Sequence, residues 1–209
     1  MNSAPEGLRI EKVHVWRGER HVLKGLSLEV QPRELLHVSG PNGTGKTTLL
    51  RVASGLLRPE QGTVSWMGRS ISSSPGQYQA VMAYCAHEPA LKNDLTALEN
   101  LRFAVGLKRR VTLQELHTVL DCTGVGSIAD LPTRVLSAGQ RRRVALARVL
   151  AMRATLWLLD EPYSNLDASG SELISGLLQA HVEGGGAAVV VAHHALTLDC
   201  NVRRLELNS

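Results

Sequence analysis

The run Gly40-Pro41-Asn42-Gly43-Thr44-Gly45-Lys46-Thr47-Thr48 constrains this chain more than any other stretch. It matches G-x-x-x-x-G-K-[ST], and its flanks suit it. Glu34 to Ser39 (Glu-Leu-Leu-His-Val-Ser) is a compact, mostly apolar strand candidate, and Thr47 to Leu57 has helical character that stops at the Gly55 to Pro59 punctuation. A glycine loop between a strand and a helix lets successive backbone N–H groups curl around an anion, and the positive end of the helix adds to the same site. Lys46 is placed to reach the outer phosphates of a nucleotide. Thr47 offers a hydroxyl to Mg2+, a cation that prefers oxygen ligands.

The remaining pattern sets a fold class. Leu156 to Leu159 is a buried-strand candidate, Ser171 to Val182 reads as a helix, and Ala187 to Ala192 as a second buried strand. Strands without polar alternation, separated by helices, call for a parallel sheet covered on both faces. Leu8 to Val15 and Val22 to Val30, joined by a turn near Gly18, read as an antiparallel β portion. Thr63 to Met67 and Gln79 to Ala86 are further strand candidates. Thr96 to about Ala151 is helical, broken at Gly124 to Ser127 and Pro132 to Gly139. The expected fold is therefore α/β and a single domain over 1–209. Its core and β portion occupy roughly 1–87 and 152–209, and a helical subdomain fills roughly 88–151.

Composition excludes several alternatives. At 44% hydrophobic the chain can bury a sizeable core. Its uninterrupted apolar stretches, such as Ala187 to Ala192, fall well short of the roughly 20 residues a spanning helix needs. Met1 to Leu8 is polar and lacks the apolar centre of a secretory leader, so a cytosolic location is the default expectation. Cys85, Cys122 and Cys200 lie far apart without metal-ligand spacing and read as reduced thiols. The net charge of +4 permits an anionic partner, but Lys and Arg are spread out except at Lys108 to Arg110 and Arg141 to Arg143. A solvated or membrane-facing surface accounts for them better than nucleic acid does.

The strand Leu156-Trp157-Leu158-Leu159 runs into Asp160 and Glu161. With a phosphate loop in the same chain, this pair reads as a Walker B site. Asp160 would hold Mg2+ with Thr47, and Glu161 would polarise the attacking water.

Leu136-Ser137-Ala138-Gly139-Gln140 resembles the ABC signature Leu-Ser-Gly-Gly-Gln, with Ala138 at the first glycine position, and Arg141 to Leu150 resembles the helix that follows it. Ser137 with Gln140 three residues on is also a capping box, a reading compatible with an anion site at a helix end. Ser164-Asn165-Leu166-Asp167 resembles the D-loop, with Asp167 its acidic residue. His193 resembles the switch histidine, with His194 beside it as the alternative. On these motifs the chain is identified as resembling the ABC transporter ATPases from about Leu8 to Leu207. The resemblance implies a RecA-like P-loop core, an antiparallel β subdomain and a helical subdomain carrying the signature. It also implies ATP and Mg2+ as cofactors, and a homodimer with ATP between the phosphate loop of one copy and Ser137, Ala138, Gly139 and Gln140 of the other.

Two positions depart from the family pattern. His87, in His87-Glu88-Pro89, stands where the Q-loop glutamine is expected, with Glu88 next to it. Arg17 stands where an aromatic side chain stacks on adenine, with Trp16 adjacent, and both remain candidates. Finer detail, in His87 to Pro89, Leu95 to Leu101, Leu136 to Leu150 and Ala154 to Pro162, resembles the ATP-binding subunit of bacterial cytochrome c maturation transporters, described as haem exporters. That implies a peripheral subunit on the cytoplasmic face of the inner membrane, joined to an integral membrane transporter subunit and near haem-handling membrane proteins. The rival readings are a motor for another exported substrate, a module that binds ATP without hydrolysing it, and a soluble ABC ATPase acting on ribosome or DNA. Tandem ATPase units, coiled coils and zinc insertions, which mark the last class, are absent from the sequence.

Overall fold

The computed structural model describes residues 7–208. The polar start read from Met1 to Leu8 lies outside it up to residue 6. Strands β1 (Leu8–Arg17) and β2 (Arg20–Val30) form an antiparallel hairpin. Next come β3 (Leu35–Ser39), the glycine loop and helix α1 (Lys46–Ala53). Strands β4 (Gln61–Trp66) and β5 (Arg69–Ser70) complete a four-stranded antiparallel sheet in the order β2-β1-β4-β5.

Helix α2 (Pro75–Val81) leads into β6 (Met82–Cys85). The strand expected over Gln79 to Ala86 is thus half helix. Pro75 opens the helix at its first position, where its missing N–H costs nothing. Tyr78 is buried and donates its hydroxyl to the Ala53 carbonyl at 2.6 Å. Only Met82–Cys85 pair with a neighbouring strand.

Helices α3 (Ala97–Gly106), α4 (Leu113–Cys122) and α5 (Ala138–Ala151) follow, then β7 (Leu156–Asp160), α6 (Ala168–Glu183), β8 (Ala187–Val191) and β9 (Val202–Glu206). The second sheet runs β6-β7-β8-β3-β9, and every neighbouring pair is parallel. The sequence reading contained no counterpart of β9.

The period of two along the buried strands sorts their side chains into two cores. Leu36, Val38, Leu156, Leu158, Val189 and Val191 face α1 and the antiparallel sheet. Leu35, Trp157, Leu159, Ala188 and Val190 face α5 and α6. A third core lies within the helical unit, where Leu101, Val105, Leu116 and Leu120 pack on Val144, Ala147 and Ala151 of α5. Helix α5 therefore contributes to two cores, with Ala145, Leu146 and Val149 on the sheet side. A helix apolar on opposite faces is one that is buried between layers. Among the described residues no helix is long and apolar enough to cross a membrane.

Candidate active site

Ligands of open α/β sheets sit beyond the carboxyl ends of the strands. Here four adjacent strands deliver site candidates to one edge. β6 leads to His87, β7 to Asp160 and Glu161, β8 to His193, and β3 to the glycine loop. The loop needs its glycines. Gly40 has φ +137° and a Cβ there would collide with the Leu207 carbonyl; Gly45 has φ +102° and a Cβ would lie 2.9 Å from Val22 Cγ1. Gly45 also supplies the left-handed residue that opens α1.

Lys46 is buried and its Nζ donates to the carbonyls of Gly40 and Pro41 at 2.7 and 3.0 Å, so the ammonium lies inside the loop. Thr44 Oγ1 donates to the Pro41 carbonyl at 3.0 Å, while Pro41, Asn42 and Gly43 are exposed at the rim. Thr48 lies half-buried on the first turn of α1. Thr47 Oγ1 donates to Asp160 Oδ2 at 2.8 Å, although the two residues stand 113 positions apart. A hydroxyl and a buried carboxylate converging beside a phosphate cradle form an all-oxygen donor set. These residues fit Mg2+, which takes one or two protein oxygens and completes its shell with phosphate and water.

Glu161 follows Asp160 with φ +52°, a left-handed conformation uncommon for a residue with a side chain. Its N–H donates to the Val191 carbonyl at 2.9 Å. The carboxylate is 14% exposed, and His193 Nε2 lies 3.3 Å from Oε1. That contact is near in distance but not aligned as a hydrogen bond, and Oε1 is otherwise buried without a partner. His194 turns the other way, edge-on to Tyr163 with ring centroids 5.4 Å apart. Of the two histidines, His193 faces the glutamate. His37, on β3, donates to the carbonyl of Ala192 at 3.1 Å and so holds the approach to His193. The His87 side chain is exposed, and its imidazole makes no hydrogen bond among the described residues.

Ser137 and Gln140 form the expected capping box: Gln140 N–H donates to Ser137 Oγ at 3.2 Å and Ser137 N–H to Gln140 Oε1 at 2.9 Å. Ser137 and Ala138 are exposed, so the N-terminus of α5 points outward. Gly139 passes beneath the Asn165 carbonyl. Asp167 caps α6 by accepting from Gly170 N–H at 2.8 Å, and pairs with Arg143 at 2.8 Å. Those two interactions, the backbone bond first, hold its carboxyl below the usual carboxylate range.

At the hairpin tip, Arg17 pairs with Arg20 and Trp16 with His21. The Trp16 indole lies flat on the His21 imidazole, centroids 4.0 Å apart, and so has an aromatic partner within its own hairpin. Arg20 donates to the Gly43 carbonyl at 2.9 Å, which puts the Arg17–Arg20 pair on the loop side. The sequence reading missed Arg20. Arg141 to Arg143 are also not a uniform surface run: Arg141 reaches Asn93, Arg142 is 1% exposed, and Arg143 holds Asp167.

A glycine cradle set against an aspartate–glutamate strand end on a parallel sheet is the plan of a P-loop nucleotide hydrolase. The chain belongs to the ABC transporter family, whose model matches residues 23–164. It is 43% identical over all 209 residues to the cytochrome c biogenesis ATP-binding export protein CcmA of Nitrosococcus oceani, covering 95% of that protein. It is 42% identical to the protein of the same name in Methylococcus capsulatus, with both chains covered in full. The Xanthomonas axonopodis pv. citri protein of that name is 45% identical over 93% of this chain and 90% of its own. Among solved structures, a dimeric bacterial ABC transporter cassette matches with a TM-score of 0.85 at 26% identity, over 95% of this chain and 94% of that one. The same cassette in a post-hydrolysis state bound to ADP and Pi matches at 0.82 and 27% identity, over 90% and 88%.

Proposed function

We propose that this ABC ATPase is the motor subunit of a membrane complex that exports or delivers haem for c-type cytochrome biogenesis. The observation that carries the ATPase chemistry is the placement of Glu161. Its carboxylate is largely buried at the end of β7, with His193 on one side and the Thr47–Asp160 pair on the adjoining residue. The phosphate loop and Lys46 bind the triphosphate, and Thr47 and Asp160 hold Mg2+, which neutralises charge on the phosphates when bound. Glu161 accepts a proton from the attacking water, a role worth about 10²–10⁴ in rate. His193 orients that water or the terminal phosphate. Arg17 lies against the nucleobase. His87 takes the Q-loop position, beyond the end of β6.

Two copies enclose ATP, with Ser137, Ala138, Gly139 and Gln140 of one facing the phosphate loop of the other. The dimeric cassette covering most of this chain supports that arrangement. An integral membrane subunit docks at a groove of about 340 Å3 lined by Leu56, Lys92, Phe103 and Leu107, three of them exposed apolar side chains. The protein then sits peripherally on the cytoplasmic face of the bacterial inner membrane, near haem-handling membrane proteins. The names of relatives matched over the whole chain support the cytochrome pathway.

The test is Glu161→Gln, scored for ATP hydrolysis in the isolated complex and for mature c-type cytochromes in the cell. Loss of both is expected. Loss of hydrolysis with normal cytochromes would leave an ABC motor for another substrate. Full hydrolysis would remove Glu161 from its assigned role.

A further inference from the structure

Arg142, in the second turn of α5, is the largest fully buried side chain among the described residues, at 1% exposure. A guanidinium carries five N–H donors and keeps its charge in proteins, so it tolerates burial only where acceptors surround it. Among the described residues Arg142 forms no ion pair with a carboxylate. Its oxygen acceptors are backbone carbonyls of two loops. Nη1 donates to Ala86 at 2.7 Å and His87 at 3.1 Å, beyond β6. Nη2 donates to the carbonyls of Asp160, the last residue of β7, and of Glu161, and Nε to that of Pro162 at 3.4 Å.

This joins three parts of the site through one side chain. The left-handed turn at Glu161 is held from two directions: its N–H by the Val191 carbonyl of β8, its carbonyl by Arg142. The same guanidinium fixes the peptide of His87. Arg142 stands two residues after Gln140 on the same helix, close to the outward-pointing end at Ser137 to Gln140.

We infer that Arg142 is a positioning residue, which braces the turn carrying Glu161 and ties it and the His87 segment to the signature helix. The inference rests on the ATPase reading above. A shift of α5, when its N-terminus meets the nucleotide held by a second copy, reaches the general base of its own subunit through this fork. Arg142 touches no reacting atom. It acts by keeping the Glu161 carboxylate in register with the phosphate loop.

Lysine retains the charge but offers a point donor instead of a planar fork, so it cannot bridge both loops. In the complex as isolated, Arg142→Lys should lower kcat by about 10²-fold, the effect of misplacing a catalytic group by roughly 1 Å. The affinity for a fluorescent ATP analogue should stay within about twofold, because the phosphate loop is untouched. Turnover at the wild-type rate overturns the inference, as does a loss of nucleotide affinity that accounts for the loss of rate. A second measurement needs no variant. Hydrogen exchange on the wild-type complex should show the amides of 140–143 and of Glu161, Tyr163 and Ser164 changing protection over the same ATP concentrations. A change in one segment without the other overturns the inference. An inactive wild type would sink the ATPase reading itself, whereas an active wild type with a fully active Arg142→Lys sinks only the role of Arg142.

Discussion

At Gly139 the signature helix passes close to the backbone of the loop before α6. A Cβ there would sit 2.6 Å from the Asn165 carbonyl oxygen, and real Cβ atoms essentially never approach within 3.0 Å. The obstacle is backbone, so Gly139→Ala must push α5 or the Ser164–Asp167 segment aside. That segment resists: Asn165 is left-handed at φ +63°, and Asp167 is fixed by Gly170 N–H and Arg143, each at 2.8 Å. Overpacking of this kind costs about 1–3 kcal/mol. In a chain of this size each kcal/mol lowers Tm by about 2–4 °C, so the fall should be roughly 2–12 °C. The phosphate loop lies on the sheet and keeps its geometry, so nucleotide affinity should hold. The displaced helix end should cost about tenfold or more in turnover, given that a 1 Å error can cost about 10²-fold. Steady-state ATPase, nucleotide titration and calorimetry on one preparation separate these effects. Wild-type turnover and Tm would refute the contact geometry. Lost affinity with normal kcat would refute the assignment of Gly139 to a surface remote from its own phosphate loop.

Lys46→Ala removes a charged donor from the loop, a contribution of about 1.5–3 kcal/mol to a phosphate contact. The nucleotide Kd should rise roughly 10–100-fold by calorimetric titration, and an unchanged Kd would refute the assignment. Arg109, which hydrogen-bonds Glu115, and then Arg153, 3.0 Å from it, hold the Glu115 carboxyl below its usual range. A carboxyl with a depressed folded pKa contributes fully above the unfolded value of about 4.3 and loses that contribution as pH falls through the folded value. Glu115→Gln should therefore lower Tm at neutral pH, by no more than about 1 kcal/mol of stability for a partly exposed pair, and the gap should close on acidification. Parallel Tm–pH curves for the two proteins would contradict this. Ser137→Ala breaks the capping box and should cost about 1 kcal/mol, read as a Tm drop that Ser137→Thr largely avoids.

The elements legible in the sequence were those specified by adjacent residues. Strand, glycine loop and helix lie together over Glu34 to Leu57, and the acidic pair directly ends its own strand. What escaped was decided by partners distant in sequence. Gln79 to Ala86 carries no clear period, and the burial of Tyr78 under Ala53 made its first part helical. Val202–Glu206 (Val-Arg-Arg-Leu-Glu) does not alternate, and becomes a strand by pairing with β3. The contact of Thr47 with Asp160 and that of Arg20 with Gly43 bridge segments no local pattern connects. The arginine run at Arg141 to Arg143 looked like surface charge because composition cannot tell which of three neighbouring helical residues points inward. The end of the preceding strand favoured His193 over His194, while the side-chain directions, one toward Glu161 and the other toward Tyr163, come only from packing.

Strand order explains why hydrolysis and movement can be separate properties of one small chain. The glycine loop, Glu161, His193 and the approach to His87 all issue from neighbouring parallel strands. Their backbones are hydrogen-bonded laterally, so their relative positions are those of a rigid sheet. Ser137 to Gln140 issue instead from the helical unit, whose α3 and α4 pack in a core of their own. A displacement of that unit leaves the phosphate loop intact yet changes where the signature points. Helix α5 belongs to both bodies, with Val144, Ala147 and Ala151 in one core and Ala145, Leu146 and Val149 in the other. Any relative motion of the two must strain or shift α5, and its buried arginine ends on the carbonyl of Glu161. A cassette arranged this way has little choice but to make catalysis sensitive to where its helical unit sits.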